Sequence, residues 1–118
     1  RIEENAVLDN CLITDGCNIK GTVRHSILFS GVTVEEGAIV EDAVVMGHSM
    51  IKAGAVVRHC IIAENATIEE DAVVGAKPKG EGIGEVATIA ADVTIGKGAK
   101  IGPSAMIYED VKEGEEQC

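Results

Sequence analysis

Aliphatic residues recur along the chain at Leu28, Val34, Val40, Val45, Ile51, Val57, Ile62, Ile68 and Val74, in steps of 6, 6, 5, 6, 6, 5, 6 and 6. Two residues before each stands a small or slim one: Ser26, Val32, Ala38, Ala43, Ser49, Ala55, Cys60, Ala66 and Ala72. Residues i and i+2 of an extended strand share a face. The small residue and the aliphatic therefore point inward, and the residue between them points out. A spacing of six fits neither the 3.6-residue helical period nor a plain hairpin meander. It predicts a short strand and a tight corner, three times per coil, with the register returning every 17 residues. Gly16, Gly31, Gly37, Gly54, Asn65, Asp71, Asp92 and Gly98 mark corners, being types that tolerate positive φ. The fold class is all-β, a single-stranded parallel β-helix of hexapeptide repeats shaped as a triangular prism of about six coils. Each coil is stable only against its neighbours. Burial of one Val or Ile contributes about 1.5–3 kcal/mol, so the inward columns dominate stability.

The N-terminal segment keeps the pattern at Leu8, Ile13 and Ile19, then Val23 arrives early, making that coil two residues short at Lys20-Gly21-Thr22. After Val74 the pattern stops. Residues 75–86, rich in Gly and charge and containing Pro78, read as a loop protruding from a corner. The pattern resumes at Ile89, Ile95, Ile101 and Ile107, so the β-helix is expected over 1–111. Residues 112–118, with Glu113, Glu115 and Glu116, read as a frayed acidic tail.

Composition agrees with a narrow interior. Ile, Val, Ala and Gly occur 14 times each, Trp is absent, and Phe and Tyr occur once each. Such a core is filled by many equivalent short side chains rather than by rings. A net charge of −10 argues against nucleic-acid binding, which needs a basic patch. No run of 18 apolar residues is present to span a membrane. The chain opens on Arg1 rather than Met and reads as a piece of a longer protein. Cys11, Cys17, Cys60 and Cys118 form no CxxC pair. They read as buried or terminal thiols in a reducing cytoplasm, in preference to a disulfide framework or zinc site.

The 17-residue register also stacks charges about 4.8 Å apart. One column reads Asp9, Arg24, Glu41, Arg58 and a second Lys20, Glu35, Lys52, Glu69, both alternating in sign. A third reads Asn10, His25, Asp42, His59. A functional reading makes Arg24, His25, Arg58 and His59 an anion or effector site. The structural reading, which is preferred, is that alternating charges fix the register, because a slipped coil would oppose like charges. The outward residues Ile27, Phe29, Val44, Met46, Val56, Ile61 and Val73 are expected to form an apolar face that packs on another subunit or domain.

The stretch His25-Ser-Ile-Leu-Phe-Ser-Gly-Val-Thr-Val34 resembles a segment of the C-terminal β-helix domain of glucose-1-phosphate adenylyltransferases. Asn10-Cys-Leu-Ile-Thr-Asp-Gly-Cys-Asn-Ile-Lys-Gly-Thr-Val23 before it, and Glu41–Met46 and His59–Ala63 after it, are similar to neighbouring coils of that family. The resemblance covers Ala6–Val74 well and Glu81–Ile107 more loosely. It implies a left-handed β-helix, an exception to the right-handed crossover rule. It also implies a parent reaction of ATP with glucose 1-phosphate to give ADP-glucose and pyrophosphate, in glycogen or starch biosynthesis. That chemistry, with its Mg2+, belongs to an N-terminal nucleotidyltransferase domain. This chain should be inactive alone, with no catalytic, cofactor or metal residues, and act in allosteric regulation and oligomer formation in the cytoplasm. The implied partners are like or related subunits, the catalytic domain and a small phosphorylated effector. One departure concerns an activator-binding lysine of some members. Ala91 stands at its place in Thr88–Ile95, with Lys77, Lys79 and Lys97 nearby. This fits a weakly regulated enzyme or a non-catalytic regulatory subunit paralogue.

Two other chemistries bear on the histidines. A hexapeptide-repeat acyltransferase would use one as general base near a corner. A β-helical carbonic anhydrase would hold zinc with three. His25 and His59 lie two coils apart, about 10 Å. Zinc–nitrogen bonds are about 2.0–2.1 Å, so that pair cannot share an ion. His48 falls in a turn column with Gly16, Gly31 and Asn65, where it suits the bend.

Overall fold

The computed structural model describes residues 1–76 and 86–118. Every strand is two or three residues long, and each pairs in parallel with the strand one coil above or below. Three sheets result, one for each side of a left-handed β-helix. The first side is a seven-stranded sheet running from Val7–Asp9 through Thr22–Arg24, Ile39–Glu41, Val56–Arg58, Val73–Val74 and Lys100–Ile101 to Glu116–Gln117. A six-stranded sheet runs from Leu12–Ile13 to Met106–Ile107, and a five-stranded sheet from Asn18–Ile19 to Thr94–Ile95.

The inward columns are those the spacing dictates. Val23, Val40, Val57, Val74 and Ile101 stack in register in one sheet. Leu28, Val45, Ile62, Ile89 and Ile107 stack in the second, and Ile19, Val34, Ile51, Ile68 and Ile95 in the third. The nine aliphatics from Leu28 to Val74 are fully buried, and their slim partners two residues earlier are 0–3% exposed. Ser26 and Ser49 are the polar members of the slim set. Ser26 Oγ donates to Arg24 O at 2.8 Å and accepts from Ala43 N–H at 3.1 Å. Ser49 Oγ makes the same pair of bonds with Ala63 O and Ala66 N–H, at 2.7 and 3.1 Å. Their burial therefore leaves no hydrogen-bonding group unmet.

All eight corner residues expected from the spacing take positive φ, between 56° and 79°. The glycines do more than bend. A Cβ on Gly31 would lie 2.4 Å from Nδ1 of His48, and one on Gly54 would lie 2.3 Å from Oδ1 of Asp71. Each of these glycines makes room for the side chain stacked on it from the next coil.

Three expectations need correction. The β-helix does not end at residue 111 with a frayed 112–118 tail. Val111 bridges Ile95 and is 5% exposed, and Glu116–Gln117 pairs with Lys100–Ile101. The glutamates point outward, while the backbone still meets its neighbour: Lys100 and Gly102 N–H donate to Glu115 and Gln117 O at 2.9 and 2.7 Å. Gln117 stands in the column of Ile101 and is exposed. In the first strand Leu8 is 37% exposed instead of buried; among the described residues that strand pairs on one side only, with Thr22–Arg24. Finally, Val56 and Val73 belong to the seven-stranded sheet, whereas Ile27, Val44 and Ile61 lie on the six-stranded one. The expected single apolar face is thus divided over two sides. The loop expected at 75–86 falls largely outside the described residues. Its start is described: Gly75 turns away with φ 75°, its N–H bonded to Ile101 O at 2.8 Å.

Candidate functional site

The coil has two kinds of corner. Where the inward step is six residues, a Gly, Asn, Asp, His or, at residue 104, Ser sits in a two-residue bend. Where it is five, the seven-stranded sheet passes to the six-stranded sheet through a single residue of positive φ. Those residues are Asn10, His25, Asp42 and His59, with φ of 47–49°. Asn, Asp and His are the non-glycine types enriched in this conformation. The third stacked column is therefore selected by the backbone first. Its backbone climbs the stack: His25 N–H donates to Asp9 O, Asp42 to Arg24 O and His59 to Glu41 O, at 2.9–3.1 Å.

Beside it runs the Asp9, Arg24, Glu41, Arg58 column, paired as the register requires. Glu41 is its pivot. Its side chain is 14% exposed and lies 2.8 Å from Nε of Arg58 and 3.7 Å from a guanidinium nitrogen of Arg24. His25 Nε2 lies 3.7 Å from Asp9 Oδ2, and its Nδ1 is 3.5 Å from Asn10 Nδ2. The structure thus brings Arg24, His25, Arg58 and His59 onto one corner, on coils either side of the Glu41 coil, with both guanidinium groups engaged by Glu41. In the Lys20, Glu35, Lys52, Glu69 column, Lys52 Nζ meets Glu69 Oε2 at 3.0 Å. That hydrogen bond and charge raise the Lys52 pKa above the ordinary lysine value. Glu35 Oε1 instead accepts the Ala53 N–H at 3.0 Å.

A shallow hollow of about 450 Å³ opens at this corner, lined by His25, Ile27, Asp42, Ala43, Val44 and His59. It joins the outer face of the six-stranded sheet. There one apolar column runs Leu12, Ile27, Val44, Ile61, with Thr88 and Met106 beyond. Phe29, Met46 and Ala63 lie alongside, placed by N–H bonds to Val45, Ile62 and Ile89 O at 2.8–2.9 Å. Leu12 is 60% exposed, Phe29 44% and Tyr108 66%, so bulky apolar groups stand in solvent on this side.

The cysteines are free thiols: Cys17 and Cys60 are buried, Cys11 half-buried and Cys118 exposed. Burial pushes the Cys60 thiol up to about 12, which makes it a poor nucleophile. Among the described residues no cluster of three or more His, Cys, Asp or Glu is placed to hold a metal ion, and no helix is long and apolar enough to cross a membrane. His48 sits in its turn with φ 61°, on a different corner from His25 and His59. The sequence reading missed the positive φ shared by Asn10, His25, Asp42 and His59. Their recurrence at each five-residue step was the available signal.

Comparison with known proteins places these coils. Residues 2–84 match the family described as GlmU-like, C-terminal hexapeptide. Glucose-1-phosphate adenylyltransferases of Bacillus thuringiensis (strain Al Hakam) and Bacillus anthracis are each 51% identical over 55 residues. That stretch is 47% of this chain and 15% of either relative, so the match spans a small part of their length. Among solved structures, the acetyltransferase domain of PglB from Neisseria gonorrhoeae FA1090, in complex with acetyl coenzyme A, superposes with a TM-score of 0.68. It is 21% identical, over 98% of this chain and 52% of that one, a likeness of fold. With most of its coils matched in order, the chain belongs to the GlmU-like, C-terminal hexapeptide family.

Proposed function

We propose that this β-helix is the regulatory and assembly domain of a glucose-1-phosphate adenylyltransferase and carries out no chemistry by itself. The observation that carries this reading is the 51% identity to such enzymes over 55 residues. Three features of the chain support it. Asp9, His25 and Glu41 of the corner are engaged with side chains of neighbouring coils. The buried Cys60 thiol is held in its unreactive form. A broad apolar side is left for association. In the parent enzyme, ATP and glucose 1-phosphate would react on a separate nucleotidyltransferase domain with Mg2+. The β-helix would hold subunits together and transmit the binding of a small phosphorylated effector, for which Arg24, His25, Arg58 and His59 are the cationic corner available. The acyltransferase reading has one favouring observation, the fold shared with an acetyl-coenzyme A-bound domain.

Two measurements on the purified chain separate these readings. Isothermal titration with acetyl-CoA should give no saturable heat; micromolar binding would favour the acyltransferase. Coupled detection of pyrophosphate from ATP and glucose 1-phosphate should show no turnover. Reading the gene upstream of the Arg1 codon then decides the parent. A nucleotidyltransferase domain there is expected, and any other catalytic domain would overturn the assignment.

A further inference from the structure

Arg24, Glu41 and Arg58 end three consecutive strands of the seven-stranded sheet and stand in register. Strand spacing sets the two arginine backbones about 10 Å apart, with Glu41 midway. Both guanidinium groups reach for the one carboxylate. Arg58 Nε lies 2.8 Å from Oε1, and a terminal nitrogen of Arg24 lies 3.7 Å from Oε2. The Glu41 side chain is 14% exposed, while those of Arg24 and Arg58 are 44% and 33% exposed. A carboxylate held between two cations that themselves reach solvent marks a place where an anion is bound.

We infer that Glu41 is a built-in competitor for the phosphate-bearing anion that this corner takes. It occupies the two guanidinium groups when the anion is absent and yields them when the anion binds. The inference rests on the reading of Arg24 and Arg58 as part of an effector site. It adds the residue that sets the affinity of that site.

The other charges of the corner leave this role to Glu41. Asp9 stands before Arg24 in the column, but its carboxylate lies 3.7 Å from His25 Nε2. Asp42 lines the hollow between His25 and His59. Glu41 alone is printed in register between both arginines, one coil from each. A guanidinium has more N–H donors than one carboxylate can use. The 2.8 Å contact employs the Arg58 Nε–H, and the 3.7 Å contact to Arg24 is longer than a hydrogen bond.

The exchange is favourable but not free. A phosphate monoester carries a charge of about −1.5 to −2 at neutral pH and offers more acceptor oxygens than a carboxylate. Arginine pairs with it bidentately. Glu41 carries a single charge, yet it is tethered and always present at high effective concentration. Ion pairs of half-exposed arginines are individually modest, so the competition weakens the anion by about tenfold rather than excluding it. An anion that bridges Arg24 and Arg58 also ties the same three coils that Glu41 ties, so the stack keeps its clamp when the carboxylate leaves.

Isothermal titration of inorganic phosphate into the 118-residue chain, at neutral pH and constant ionic strength, tests this. Glu41→Gln keeps the side-chain shape and removes the charge. It should tighten phosphate binding by about five- to tenfold, and adding Arg58→Gln should abolish that binding. Glu64→Gln makes the same charge change at an exposed residue on another corner and should leave the affinity unchanged. As a second readout, phosphate should raise the melting temperature of Glu41→Gln more than that of Glu64→Gln, because the added anion replaces the missing carboxylate. Equal affinity in the unchanged chain and Glu41→Gln, lost with Arg58→Gln, would overturn the competitor and leave the effector site standing. No saturable binding by either would overturn the effector site and the competitor with it.

Discussion

Replacing Glu41 with lysine should destabilise the β-helix far more than the same charge change at Glu3. Glu41 is 2.8 Å from Arg58 and 3.7 Å from Arg24. A lysine there converts two attractions into two repulsions. Unit charges 4 Å apart interact by about 1 kcal/mol in water and about 4 kcal/mol at an effective dielectric near 20. The arginine side chains are 33% and 44% exposed, so screening keeps each interaction near the lower figure, about 0.5–1 kcal/mol. Four such changes sum to about 2–4 kcal/mol. Glu3 faces one partner, Arg1, whose side chain is 77% exposed at the open end of the stack, and its reversal should cost under about 1 kcal/mol. For a domain of this size, at about 4 °C per kcal/mol, these correspond to a fall in melting temperature of roughly 8–16 °C for Glu41→Lys against under about 4 °C for Glu3→Lys. Thermal unfolding by circular dichroism at low salt reads both. Adding Arg58→Glu to Glu41→Lys restores one attraction and should recover part of the loss. Salt at about 1 M, where the Debye length is about 3 Å, should narrow the gap. Equal melting temperatures for the two single variants would refute the ladder as a register device.

Three further outcomes are expected. Gly75→Ala should destabilise by about 3 kcal/mol or more and Gly98→Ala by about 1 kcal/mol. Both residues have positive φ, but a Cβ on Gly75 would lie 2.0 Å from the Arg58 carbonyl oxygen, while one on Gly98 meets nothing within 4 Å. Urea unfolding of the pair measures the difference, and similar midpoints would contradict it. Cys60, held near 12 in the fold against an ordinary value of 9.0, keeps its proton while the unfolded thiol loses it. Stability should therefore fall as pH rises from about 9 toward 12, by at most about 1.4 kcal/mol per pH unit, and Cys60→Ala should flatten that slope. Val57→Ala, which opens a gap in a fully buried column, should cost about 2–3 kcal/mol in the same unfolding assay.

Much of this fold is legible in sequence because one geometric rule is repeated. A slim residue, an outward residue and an aliphatic recur with a corner between them, and each repeat must satisfy the same narrow interior. Errors arise where repetition ends. Leu8 keeps the inward spacing, but among the described residues its strand pairs on one side only. The glutamates of the last segment look like tail because charge suggests solvent. Their side chains do reach solvent, while the Glu115 and Gln117 carbonyls pair with the coil before. Val56 and Ile61 are both outward and apolar, yet a corner separates them, so they serve different sides. The cationic corner was visible as a charge column. What the column could not show is that Glu41 sits between Arg24 and Arg58 with little exposure, because that depends on side-chain reach rather than on register. The hollow beside it is likewise a property of the folded surface.

The central functional claim is that these coils regulate and assemble an adenylyltransferase without performing its chemistry. The most direct measurement is pyrophosphate release from ATP and glucose 1-phosphate with Mg2+, by the full gene product and by residues 1–118 alone. The full product should form ADP-glucose and the isolated chain none. A full product unable to make ADP-glucose, or an isolated chain that makes it, would contradict the account.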